Sequence, residues 1–212
     1  MRNVGKRISE QRCDEAQTVI DDIRQSIEKA KAIIEQFKSL ARAQEIKLSP
    51  IPLEPILNDA CKLAGNQGIN CTFDCPSYLV AIADSEKLAE CFDELITNAT
   101  HWFDKPNKEL KIKAMISLPG LLPNGLDPTK SYVLISVEDN GCGIPINEKG
   151  KIFDAFVGKY QHGTGLGLAL VRRIIEGHGG EIFESGIPGK GADFRIYIPS
   201  SESCYRLPND EN

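Results

Sequence analysis

No run of about 20 apolar residues occurs in this 212-residue chain, nor does a charged-then-apolar leader with a small-residue cleavage site. The sequence therefore encodes neither a membrane span nor an export signal, and a cytoplasmic setting is expected. A stripe of clustered Lys and Arg is also missing: 25 basic residues are scattered among 30 acidic ones, for a net charge of −5, which argues against nucleic acid as a partner. Cys-x2-Cys pairs are absent. The seven cysteines, with Cys71-x3-Cys75 the closest approach to a ligand pair, read as mostly buried reduced thiols rather than a zinc site.

Glycine and proline are missing from residues 6 to 48. One continuous helix of about 40 residues, roughly 60 Å, is expected there. Cys13, Ile20, Ile27, Ile34 and Ala41 recur every seven residues, with Ala16, Ile23, Ala30 and Phe37 forming a second seam. That stripe suits pairing with another helix, of a second copy or of a segment outside this chain; the alternative is a helix laid along its own domain. Ser49-Pro50-Ile51-Pro52-Leu53-Glu54-Pro55 ends the helix, and Pro55 is placed to open a short helix through Ile56, Leu57, Ala60 and Leu63.

The remainder carries three motifs with chemical content. In Leu88 to Ala99 the apolar residues Leu88, Cys91, Phe92, Leu95 and Ala99 have helical spacing, so Glu94 and Asn98 share another face. A carboxylate and an amide carbonyl one turn apart can hold Mg2+ or its water, or form an ordinary solvated face. Ser131 to Asp139 is β-branched and aromatic and runs into Asn140-Gly141-Cys142-Gly143. Asp139 at that strand end can accept from an exocyclic amine such as that of adenine, with Gly141 and Gly143 permitting close backbone approach; an ordinary turn is the other reading. Gly163-Thr164-Gly165-Leu166-Gly167-Leu168 leads into a helical run ending at Gly177, and amides at such a helix start attract a phosphate chain. Neither a Walker nor a Rossmann pattern fits it.

In order and spacing, Glu94-x3-Asn98, Asp139-x-Gly141-x-Gly143, Ile152-Phe153-Asp154-Ala155-Phe156 and Gly163 to Leu168 resemble the N, first-glycine, F and second-glycine boxes of the histidine kinase catalytic domain. That domain belongs to the ATPase superfamily of gyrase, Hsp90, MutL and histidine kinases. The likeness continues through His178-Gly179-Gly180-Glu181-Ile182 and Gly189 to Pro199, covering roughly residues 50 to 200. It implies that Asn98 coordinates Mg2+ with Glu94 beside it, that Asp139 binds the adenine amine, and that Gly141 and Gly143 shape the base pocket. Gly163, Thr164, Gly165, Leu166, Gly167 and Leu168 then line the phosphates. The lid of the family is reduced to Val157-Gly158-Lys159-Tyr160-Gln161-His162, with Lys159 the cation to reach a terminal phosphate and Lys151 a second choice. Either Lys159 has that role or it is a solvated loop lysine.

By the same resemblance, residues 1–48 match the second helix of a dimerization and phosphoacceptor hairpin, which makes a homodimer, a phosphoacceptor helix and a response regulator the implied partners. The acceptor histidine of the family sits on the first helix, and His101, His162 and His178 fit no such place. Two expectations follow: a part of a kinase whose acceptor lies elsewhere, or a protein acting in trans. Glu94 is a candidate base, or orders the metal's water. The leading expectation is Mg-ATP-dependent phosphoryl transfer to a histidine outside this sequence; the alternative is a nucleotide-gated binding module without kinase activity. The expected fold is a two-layer α/β sandwich, a mixed and mostly antiparallel sheet covered by helices. Residues 49–200 would form the ATP-binding domain and 201–212 a polar tail.

Overall fold

The computed structural model describes residues 2–42, 45–117, 120, 122–157 and 164–201; the side chains of 2–14, 29 and 39–42 are outside that description. The chain runs α1 (Arg2–Arg42), β1 (Ser49–Pro52), α2 (Leu53–Asn66), β2 (Asn70–Asp74), β3 (Val80–Ala83), α3 (Ser85–Trp102), β4 (Glu109–Ile116), β5 (Tyr132–Asp139), α4 (Gly167–Gly177), β6 (Glu181–Glu184) and β7 (Asp193–Pro199).

The main sheet has the order β2-β4-β5-β7-β6 and is antiparallel except for β2 on β4. Period-two alternation fixes its faces: Leu110, Ile112 and Ala114 of β4 are buried while Lys111, Lys113 and Met115 are exposed. Across the ladder Ile112 pairs with Val137 and Val137 with Phe194, forming one apolar row. Helices α2, α3 and α4 cover this face, α3 packing against both of the others. Leu88, Cys91, Phe92, Leu95, Ile96 and Ala99 of α3 are buried there. The expected sandwich is thus formed, with its polar face left open.

Asp84 starts α3 by accepting from the Glu86 and Lys87 amides at 3.1 and 3.2 Å. Its second oxygen accepts from the Lys47 amide at 2.9 Å, tying the segment after α1 to the start of α3. The N-terminal prolines behave differently from expectation. Ser49–Pro52 pairs antiparallel with β3 as a strand, and α2 begins at Leu53 rather than Pro55. Pro55 is tolerated in the first turn because amides there have no intrahelical acceptor to lose.

Helix α1 is continuous, as the sequence predicts, but it ends at Arg42 and residues 45–48 are not helical, short of the expected end at 48; its stripe is uncovered, Ile20, Ile23, Ile27, Ile34 and Phe37 all being exposed. Near its end a different face, Ile33 and Gln36, is half-buried against the rest of the chain, where α1 meets α4. The cysteines correct the reading given above. Cys91 is buried, but Cys61, Cys71, Cys75 and Cys142 are free and only half-buried, because they sit on the outer parts of α2, β2 and the turn after β5.

Candidate nucleotide site

Asp139 ends β5 at a buried position, 7% exposed. Its Oδ1 accepts from the Gly141 amide at 2.8 Å and from the Ala192 amide at 3.2 Å. Burial pushes its carboxyl above the ordinary range, and these two bonds oppose the rise without cancelling it. The turn after it is clamped from two sides. The Cys142 amide donates to the Trp102 carbonyl at 3.1 Å, and a β-carbon on Gly141 would lie 2.6 Å from that oxygen. On the other side the Gly189 amide donates to the Cys142 carbonyl at 2.7 Å. Gly143 has φ +68°, and a β-carbon there would sit 2.7 Å from the Ile187 carbonyl, so both its shape and its crowding require glycine.

Asn140 fastens the same turn to β4. Its Oδ1 accepts from the Glu109 amide at 3.0 Å, and its Nδ2 donates to the Asn107 carbonyl at 2.8 Å. The second glycine motif is built against the F box: the Phe156 amide donates to the Gly165 carbonyl at 2.8 Å, both residues having positive φ. From there α4 starts at Gly167 with Leu166 as its cap, no side-chain cap bond and no acid in its first turn. Its leading amides are therefore left to an anion from elsewhere.

Glu94 lies close to this end of α4. Its Oε2 lies against Gly167, where an added β-carbon would collide with it. Burial is the main reason its carboxyl is raised above the usual range; a hydrogen bond from Gln36 opposes this, and Glu90 and Asp93 add to it. Gln36, on α1, donates from Nε2 to Glu94 Oε1 at 3.3 Å and accepts with Oε1 from the Thr164 hydroxyl. Thr164 Oγ1 in turn accepts from the Leu166 amide at 3.3 Å. Asn98 is half-buried one helical turn from Glu94.

Among the described residues no group of three or more His, Cys, Asp and Glu side chains could hold a metal ion. The pair Glu94 and Asn98 offers two oxygen donors, which suits Mg2+ that takes its remaining ligands from phosphate and water. Glu94, Thr164 and Gly167 meet through Gln36 and direct contact, while Asp139, Gly141 and Gly143 form the clamped turn after β5. Lys159 and Gly163 lie outside the described residues. Lys151 follows in the turn before the F box and is exposed.

Sequence reasoning missed Gln36, Asn140, the Trp102 carbonyl and the Ala192 amide. Asn140 stood inside a quoted motif and was signalled by its position; the two backbone groups carry no residue signature, and Gln36 is about 60 residues away on another helix. His178 is structural: Nε2 accepts from the Asp84 amide at 3.0 Å, so Nδ1 carries the proton and donates to the Ile174 carbonyl at 2.7 Å.

Residues 83–202 match the family described as histidine kinase-, DNA gyrase B-, and HSP90-like ATPase. The chain is 29% identical over 188 residues, 86% of its length, to the signal transduction histidine-protein kinase AtoS of Escherichia coli (strain K12), and 30% identical over 172 residues to the sensor histidine kinase ZraS of Klebsiella oxytoca, 79% of its length. It spans 29% and 35% of those two proteins. Among solved structures, full-length ShkA in complex with AMPPNP superposes with a TM-score of 0.63 at 25% identity, over 80% of this chain and 35% of that one. The catalytic domain of histidine kinase ThkA gives 0.58 at 26%, over 72% of this chain and 95% of that one. With that family model matching more than half of its length and histidine kinases among its relatives and structural neighbours, this chain belongs to the histidine kinase-, DNA gyrase B- and HSP90-like ATPase family, as a histidine kinase catalytic, ATP-binding domain carried behind a long helix.

Proposed function

We propose that this chain performs the phosphoryl-transfer step of a sensor histidine kinase, moving the γ-phosphoryl group of Mg-ATP to a histidine on a phosphoacceptor helix of the same or a neighbouring chain. The observation that carries this reading is the pairing of Asp139, buried and held by two amides, with an α4 N-terminus that has no cap of its own. Both amide bonds fall on Oδ1 of Asp139, so Oδ2 is the oxygen offered to the adenine amine, with Gly141 and Gly143 letting the base approach the backbone. The amides from Thr164 to Leu168, with Gly163, take the phosphates, and Lys159 neutralises the terminal one.

Mg2+ fits Asn98 with Glu94 beside it, and when bound it supplies charge neutralisation between the phosphates. In the reaction the acceptor imidazole nitrogen forms a bond to the γ-phosphorus as the bond to the ADP oxygen breaks; the ring proton leaves to a base, for which Glu94 is a candidate. The chain's own part is positioning and electrostatic stabilisation. Helix α1, with its exposed seven-residue stripe, pairs with a second copy in a homodimer, and the phosphohistidine serves a response regulator receiver domain in the cytoplasm. No described helix is long and apolar enough to cross a membrane.

The test is calorimetry with ATP, with and without Mg2+, on the parent, Asp139→Ala and Asn98→Ala, followed by transfer from γ-labelled ATP to an added acceptor hairpin of a related kinase. Binding lost with Asp139, Mg2+ dependence lost with Asn98 and acid-labile label on the hairpin are expected. A parent that binds no ATP, or binds it and labels no histidine, overturns the reading.

A further inference from the structure

The polar link between α1 and the phosphate end of the site has no counterpart in the motifs. Gln36 is, with Ile33, one of two half-buried residues among the described side chains of α1, and both ends of its carboxamide are used. Its Nε2 holds Glu94 and its Oε1 takes the Thr164 hydroxyl proton, so one side chain joins three elements that are far apart in sequence: α1, α3 and the segment leading into α4. What it holds matters as much as the bonds. Glu94 Oε2 rests against Gly167, the first residue of an α4 that has neither a side-chain cap nor an acid in its first turn. Glu94 thus packs beside the head of α4, the end at which phosphates would be bound.

Gln36 is the donor that holds this carboxyl group in place. Release of Gln36 would leave Glu94 free to swing from Gly167 toward Asn98, where its carboxylate serves a cation instead. The bond to Thr164 adds to this, since that hydroxyl also accepts from the Leu166 amide at the head of α4. While Gln36 is engaged, the Glu94 carboxyl and the Thr164 hydroxyl are both committed to protein groups. The segment after α1 is anchored independently by the Lys47 amide on Asp84, so α1 can lift from α4 at Gln36 without detaching from the start of α3.

We propose that Gln36 is a positioning residue that latches α1 to the nucleotide site by holding Glu94 against Gly167 at the start of α4 and engaging Thr164, so that docking of α1 and binding of the ATP phosphates exclude one another. This rests on the reading of the α4 N-terminus as the phosphate end. Coupling of this kind is reciprocal: phosphates that displace Glu94 release α1, and any force that pulls α1 away opens the site. The exposed stripe, on which α1 would pair, is a different face from Ile33 and Gln36. A change in how α1 pairs can therefore reach the phosphate site through one glutamine.

The test uses the full chain with spin labels on genetically encoded ketone residues at Ala32 and Arg173, both exposed, diluted with unlabelled chain. The parent should give one narrow distance without nucleotide. Gln36→Ala, and Gln36→Glu, which sets a second carboxylate against Glu94, should broaden it, and Mg-ATP should broaden the parent in the same way. Both variants should bind ATP about ten-fold more tightly, the equivalent of the one or two net hydrogen bonds removed. Unchanged distances in the variants, or affinity for ATP that is equal or lower, overturn the latch alone. If neither parent nor variants bind ATP, the functional reading falls, and the exclusion with it.

Discussion

Replacing Asp139 by Asn separates the role of this side chain in binding from its role in the fold. The amide oxygen of Asn can still accept from the Gly141 and Ala192 amides, which lie 2.8 and 3.2 Å from Asp139 Oδ1. The fold should therefore tolerate the change, and losing a buried carboxylate raised by its surroundings removes a cost at neutral pH. Binding should not tolerate it. A hydrogen bond to a charged group is worth about 1.5–3 kcal/mol, and Asn presents an NH2 to the adenine amine where the carboxylate offered an acceptor. Taking about 3 kcal/mol, ATP affinity should fall ~150-fold. GTP, whose base carries an acceptor where adenine carries its amine, should gain relative to ATP.

Asp139→Ala, by contrast, leaves two buried amides without acceptors, at about 1–3 kcal/mol each, so melting should drop by roughly 10 °C as well. Calorimetry with both nucleotides and thermal melts on the three proteins decide the matter. ATP affinity of Asp139→Asn within three-fold of the parent, or a melting loss equal to that of Asp139→Ala, would refute the assignment of the base to this carboxylate.

Glu94→Gln should raise the melting temperature at neutral pH. A carboxyl raised by burial favours the folded state while it is protonated and loses that contribution as pH rises through its folded value, so the advantage of Gln should vanish in acid; a gain independent of pH between 4 and 8, or none, contradicts this. Asp84 has the opposite sign. Burial works upward on it, but the amides of Lys47, Lys87 and Glu86 and nearby His178 outweigh that and lower its carboxyl. Asp84→Ala should cost about 2 kcal/mol in denaturant unfolding at neutral pH, with the cost shrinking as pH falls through the lowered value. Phe92→Ala, at a position 1% exposed between α3 and the sheet, should cost about 3–5 kcal/mol without altering the groups of the proposed nucleotide site; a smaller loss would mean that the core there closes over the cavity.

The site was legible where its chemistry is written in side chains or glycines. Glu94 and Asn98 share a face because of helical period, and Asp139 lies at a strand end because Tyr132 to Val137 can only be a buried strand. Thr164 to Leu168 open a helix because Ala169 to Glu176 is a good one. What was not legible is carried by backbone and by distance. Trp102 enters through its carbonyl and Ala192 through its amide, and neither choice of side chain announces it. Pro50 and Pro52 concealed a strand, since an edge strand of four residues pairing only with β3 needs few of its own amides. Cys71 and Cys75 looked buried by residue type, yet the edge position of β2 leaves them half-exposed.

The sequence by itself determined the order of the four boxes, the continuity of α1 and its apolar stripe, because periodicity and glycine placement are local properties that a strand or helix must obey. Only the tertiary structure decided that Glu94 faces Gly167, that Asp139 shares one oxygen between two amides, and that α1 meets Glu94 and Thr164 through Gln36. Those follow from how α3, α4 and α1 pack, and packing brings together groups whose separation along the chain leaves no pattern to read.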